Sequence, residues 1–431
     1  MSRFQRPKLE WIGGSGEPSP APFARARLEN GIRVLVRPNA AIPVVAVDCW
    51  IAVGAIHETD EHAGISHFLE HMFFKGTSRY PLGSMDRLVK EMGGYNNAAT
   101  SMEYTHYYIV APAEHAWQAA DLLADHLADP ALPAEELERE RQVVKEEIRR
   151  KDDSPHGRLY TALTDAAYDA TPYAREVLGS PESLDRIDPA VMRDWWRRNY
   201  AGDRIVVAVA GDVEAEAAVA EVAARFGGLP AGTPRPGVPD PPRVVPRSVD
   251  VAMDVAQGYL AWGFPIPGRE DLEALCALEV AATILGDGET SRLHRRLIDE
   301  LRLVTEVNAW TYGLQRAGLI GISAVCAPDR RAAVEEEIAQ VVDAAVRHGV
   351  SEQEVRRAQT ILRADFAYEN ETNAALTGTL GEFETLYGAA ERYRDVLHGV
   401  AAVTPEWVRK ALAPRMTSDR AVRAWVGPDG A

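Results

Sequence analysis

The sequence predicts an α+β protein built from two homologous α+β domains joined by a proline-rich linker. Three observations carry this. The chain has 431 residues, enough for two or three domains that each bury a core. Residues 228–247 read GLPAGTPRPGVPDPPRVVPR, with seven prolines and no helix or strand periodicity. Proline fixes φ and lacks an N–H donor, so this stretch is an extended linker. Finally, DRIVVAVAGD at Asp203–Asp212 resembles DRAVRAWVGP at Asp419–Pro428, and each follows a helical segment, PAVMRDWWRRNYAG or TPEWVRKALAPRMTS. Asp203 and Asp419 stand 216 residues apart, as do Gly211 and Gly427. One offset of half the chain length points to an internal duplication. The expected layout is a first domain over 1–227, the linker, and a homologous second domain over 248–431.

The elements follow from local pattern. RVLVR at Arg33–Arg37 and VVAVDCWIA at Val44–Ala52 are β-branched runs that read as strands, as does THYYIV at Thr105–Val110. Ala63–Phe74, Met85–Glu91, His115–Asp129 and Ala134–Lys151 carry helical spacing. Strands and helices do not alternate strictly, which favours α+β over a doubly wound parallel sheet.

Composition narrows the function. Lys+Arg is 47 against Asp+Glu 64, so the net charge of −17 argues against nucleic acid as a partner. A hydrophobic fraction of 46% excludes disorder as the main state. Three cysteines, Cys49, Cys276 and Cys326, cannot all pair, and they read as buried thiols. No stretch reaches the ~18 apolar residues of a membrane span. The first 31 residues lack the apolar run of a secretory signal, and Glu10, Glu17 and four prolines fit a transit peptide poorly. A cytoplasmic setting is expected, or a periplasmic one had a leader been removed.

The chemistry concentrates in Gly64–Thr77, GISHFLEHMFFKGT. His67 and His71 lie at i and i+4, on one helix face, and can aim two imidazoles at one ion. Such a pair alone is more often structural. Here Glu70 borders the same face, where a carboxylate can take the proton of a zinc-activated water. Catalytic zinc uses three protein ligands and keeps a position for water. The third ligand is sought in the helix AEELERERQVVKEEIRRK, where Glu140 and Glu147 share a face two turns apart. Val143 and Val144, between them, are expected to pack towards the first helix. His57 and His62, in HETDEH, fall outside this face and read as solvated loop or helix-start residues.

HxxEH is the inverted zinc motif, and its surroundings resemble the pitrilysin, insulin-degrading enzyme and mitochondrial processing peptidase family. The resemblance places the third ligand about 76 residues after the second histidine, at Glu147, and its accompanying catalytic glutamate at Glu140. GGYNNAAT at Gly93–Thr100 resembles the family's substrate-binding edge strand, so Asn97, Ala98, Ala99 and Thr100 are implied to bind peptide. GDGETSRL at Gly286–Leu293 resembles its glycine-rich stretch in the second half. The length resembles the short processing-peptidase-like members, in which two protomers close like a clamshell around a chamber. The implied activity is a zinc endopeptidase for unfolded peptides, with one Zn²⁺ per chain.

One motif is broken. Active members carry an Arg and a Tyr seven residues apart after Ser-Arg-Leu in the second half. Aligned on Ser291-Arg292-Leu293, those positions are Ile298 and Thr305 here. Neither can reach an oxyanion as a guanidinium or phenol does, and one lost donor can cost about 10²–10³ in rate. The economical expectation is a heterodimer, in which this chain supplies zinc and Glu70 and a homologous subunit supplies Arg and Tyr. A self-sufficient homodimer is the alternative. A non-catalytic peptide-binding or assembly subunit is a third reading, opposed by the intact His67, Glu70, His71 and Glu147.

Overall fold

The computed structural model describes residues 7–12, 22–169, 171–232 and 237–429. Parts of the N-terminal segment (1–6 and 13–21) and of the linker (233–236) lie outside the described residues. The N-terminal half runs β1 (Glu10–Ile12), β2 (Phe23–Arg27), β3 (Arg33–Pro38), β4 (Val44–Ile51), α1 (Ile65–Phe73), α2 (Ser84–Glu91), β5 (Tyr95–Thr100) and β6 (Thr105–Pro112). It continues α3 (Ala116–Ala128), α4 (Ala134–Asp153), α5 (Pro155–Tyr168), α6 (Pro181–Asp185), α7 (Pro189–Asn199), β7 (Ile205–Gly211) and α8 (Ala215–Phe226). The C-terminal half runs β8 (Ser248–Ala252), β9 (Gly258–Pro267), α9 (Leu272–Gly286), β10 (Val304–Gly313), β11 (Ala317–Cys326) and α10 (Arg331–His348). It ends with α11 (Glu352–Glu369), α12 (Asn373–Leu386), α13 (Tyr393–Ala402), α14 (Pro405–Leu412) and β12 (Val422–Gly427). The four helices and three strands read from local pattern in the first half fall on such elements, with ends within two residues.

The duplication is visible in the sheets. The first has strand order β1-β2-β3-β7-β4-β6-β5 and the second β10-β11-β9-β12-β8. Reversed, the second repeats the first from β3 to β5. The parallel pairs, β3 with β7 and β8 with β12, are equivalent, and the other pairings are antiparallel. The helix starts repeat as well. Asp188 caps α7 with Pro189 in its first turn, and 216 residues later Thr404 caps α14 with Pro405 likewise placed.

Packing does not follow the linear division at 228–247. One compact body holds residues 1–148, 175–237 and 368–394, and the other holds 149–174, 238–367 and 395–431. Each half therefore lends one helix to the other's sheet: α12 packs on β4 and β7, and α5 packs on β9 and β12. The physical cause is the burial of the central strands. Every residue of β7 is buried, and so is nearly all of β4, which requires cover on both faces. At the α12 crossing Gly381 is required, since a Cβ there would stand 2.3 Å from the Trp50 ring. The three cysteines are buried free thiols. Among the described residues no helix is long and apolar enough to cross a membrane.

Candidate metal centre and active site

Helices α1 and α4 bring the predicted ligands together. His67, His71 and Glu147 each offer a ligand atom, and these atoms lie within 4.8 Å of one another. Among the described residues this is the one group of three or more such side chains so placed. Nε2 of His67 stands 3.7 Å, and Nε2 of His71 3.6 Å, from the same Oε2 of Glu147. Those gaps are long for hydrogen bonds. They suit a shared ion: tetrahedral zinc at about 2.0–2.2 Å from each donor holds its donors about 3.4 Å apart. Two imidazoles and one carboxylate also match the donor set of open, catalytic zinc sites.

Hydrogen bonding fixes one ring firmly. His71 Nδ1 faces Glu140 Oε2 at 3.0 Å, which leaves Nε2 with its lone pair towards Glu147. Lys75 Nζ holds the other Glu140 oxygen at 2.5 Å. Burial raises the Glu140 carboxyl, but the hydrogen bonds from Lys75 and His71 outweigh it and keep it below its ordinary value. Burial, with His71 beside it, pulls His67 down to about 4, so its imidazole stays neutral and able to bind a cation.

Glu70 lies on α1 between the two histidines and accepts a hydrogen bond from the Thr100 hydroxyl. Burial pushes its carboxyl above the ordinary value, although Thr100 opposes this. A raised carboxyl suits a general base. Thr100 ends β5, the edge strand of the first sheet, which among the described residues pairs with β6 alone. The Ser101 N–H turns inward to the Tyr104 carbonyl at 2.8 Å. By strand alternation the N–H groups of Asn96, Ala98 and Thr100 point to the open side. There the Ala98 N–H is held by the Asn97 Oδ1 at 2.9 Å. An extended peptide can add along this edge.

Other positions depart from the sequence expectation or were invisible to it. Val144 is buried but Val143 is 43% exposed, because the buried stripe of α4 runs Leu137, Arg141, Val144, Ile148. His57 and His62 each end a short 3₁₀ turn before α1, and both are half-buried rather than solvated. Between them, Glu58 is buried and binds the start of α1. Burial pushes its carboxyl up to about 7 against those hydrogen bonds. Lys75 was also missed, although its spacing of one helical turn from His71 is a signal. In the second half, Ile298 packs against the apolar core, and Thr305 is the irregular residue in the β10–β11 pairing, bonded to the Val325 carbonyl at 3.3 Å.

Fold and site together define a hydrolase of peptide bonds that works through a metal. Insulinase (Peptidase family M16) matches residues 33–181, and the Peptidase M16 inactive domain matches residues 186–362. The chain is 32% identical over 410 residues to an uncharacterized zinc protease of Mycobacterium tuberculosis, covering 94% of this chain and 93% of that protein. It is 29% identical over 407 residues to the uncharacterized zinc protease YmxG of Bacillus subtilis, covering 94% and 98%. A protease from Helicobacter pylori has the same fold, with a TM-score of 0.87 at 24% identity over 98% of this chain and 100% of that one. Pitrilysin does too, with a TM-score of 0.81 at 20% identity over 98% of this chain and 46% of that one. The chain belongs to the insulinase family of peptidases, M16.

Proposed function

We propose that this chain is the zinc-bearing catalytic subunit of a heterodimeric endopeptidase that cuts unfolded peptides inside a closed chamber. The observation that supports it most is the convergence of His67, His71 and Glu147 beside Glu70, in a chain with Ile298 and Thr305 at the positions that the family resemblance assigns to Arg and Tyr. His67, His71 and Glu147 would hold one zinc ion. When bound, that ion would supply Lewis acidity towards a water molecule and a peptide carbonyl. Glu70 takes the proton from the water onto its carboxylate and returns it to the leaving amine. Glu140 holds the His71 ring in the tautomer that presents Nε2. The open edge of β5, with Asn97, Ala98, Ala99 and Thr100, receives the peptide backbone as an added strand. Backbone pairing depends little on side chains, so substrate choice follows unfoldedness more than sequence. A homologous subunit supplies the Arg and Tyr that steady the oxyanion.

The test is cleavage of a set of unstructured peptides by the zinc-loaded chain, alone and with a homologous chain that carries the Arg/Tyr pair. Glu70→Gln serves as the blank. Turnover is expected with the partner and not without it. Turnover by the chain alone at the rate of the complete pair would establish the homodimer instead.

A further inference from the structure

The histidines of HETDEH stand outside the metal-ligand set, but one of the acids between them, Glu58, reaches the helix that carries His67 and His71. Glu58 is 6% exposed, unusual for a carboxylate. Its Oε2 accepts the Gly64 N–H at 2.7 Å and its Oε1 accepts the Ser66 N–H at 2.8 Å. Both N–H groups belong to the start of α1, and Ser66 directly precedes His67. Such groups have no partner within the helix and form the positive end of its dipole. Gly64 occupies the cap position at φ 90° and has no side chain to satisfy them. A Cβ at Gly64 would stand 2.6 Å from the Leu178 carbonyl oxygen, so a capping side chain is excluded there. The cap comes instead from six residues upstream.

The loop that presents Glu58 is itself pinned. Arg175 donates to the Ala55 carbonyl at 2.9 Å and to Asp60 at 2.6 Å, on either side of Glu58. Ser183 donates to the Ala63 carbonyl at 2.7 Å.

The two imidazoles are aimed by different means. His71 is gripped from behind by Glu140. His67 Nδ1 is buried and has no hydrogen-bond partner among the described residues. With no hydrogen bond to its Nδ1 among the described residues, the aim of His67 depends on where the first turn of α1 is held. We infer that Glu58 is the positioning residue for His67: by binding the N–H groups at the start of α1 it sets how tightly the ligand set takes zinc. This rests on reading His67, His71 and Glu147 as the ligands. Two carboxylates, Glu58 and Glu140, thus divide the work of aiming the two histidines.

The test measures zinc affinity of the full chain by chelator competition, in mildly alkaline buffer where Glu58 is ionised, together with the visible spectrum of the Co²⁺-loaded protein. Glu58→Gln keeps the shape but puts an N–H₂ against backbone donors. It is expected to weaken zinc binding by about 10–100-fold, the usual cost of losing a group that supports a ligand, and to shift the Co²⁺ bands. Glu58→Asp keeps the charge at shorter reach and recovers part of the loss. A Glu58→Gln protein with wild-type affinity and spectrum overturns the inference. If that variant does not fold, the same result for Glu58→Asp overturns it. A wild-type chain that takes up no zinc overturns the ligand reading, and the inference with it.

Discussion

Thr100 and Glu70 meet between edge strand β5 and helix α1, with the threonine hydroxyl donating to the carboxylate. The proposed proton acceptor is thereby tied to the strand on which a peptide would lie. A hydrogen bond to the ionised form favours that form, so Thr100 holds Glu70 lower than burial alone would. In Thr100→Val the acid limb of kcat/KM is expected to move to higher pH, with zinc content unchanged. A pH–rate profile of the assembled enzyme checks this; an unmoved limb counts against Glu70 as the base.

The grip of Glu140 on His71 predicts a metal-affinity effect rather than a direct effect on chemistry. Glu140→Ala leaves the His71 Nδ1–H without its acceptor and Lys75 without its partner. Zinc affinity is expected to fall by about 10–100-fold. Saturating zinc should restore most of the turnover, as titration of activity against free zinc would reveal.

The open side of β5 predicts a separation of binding from fold. The Ala98 N–H points away from β6, so Ala98→Pro removes no ladder bond within the sheet, and proline is tolerated at such edges. It does remove a donor that an added peptide strand needs. KM is expected to rise about tenfold or more, the scale of one lost and one unsatisfied hydrogen bond, with zinc affinity intact. Unchanged KM would move the peptide to another surface.

His67 makes the metal-free protein sensitive to acid. An unfolded histidine titrates near about 6.5, whereas folded His67 is pulled down to about 4 by burial and by His71. As pH falls, the unfolded chain takes up this proton first, so stability fully present above about 6.5 is lost progressively towards about 4. Melting temperatures of the metal-free chain against pH should fall more steeply than those of His67→Gln in that window. Parallel curves would refute the assignment.

Much of the site was legible because it is periodic. The i, i+4 spacing of His67 and His71 and the seven-residue spacing of Glu140 and Glu147 report which side chains share a helix face. The 216-residue offset likewise reports a repeat. Glu58 was not legible, because its contact with α1 depends on how a loop folds back, and no period describes that. Val143 misled for a related reason: one residue's turn around α4 separates it from the buried stripe that holds Val144. The exchange of α5 and α12 was hidden too. Their amphipathic patterns say that each must cover a sheet, but not which one.

That exchange bears on the order in which the protein can mature on the ribosome. The sheet that carries β5 is complete once β7 has been made, at Gly211. Its cover over β4 and β7 includes α12, which ends at Leu386. The catalytic body therefore waits, with apolar strands bare, until most of the chain has emerged. Domains usually fold one after another as they are synthesised. Here the first half cannot finish before the second, so a nascent chain stalled in the linker is exposed to chaperones and proteases.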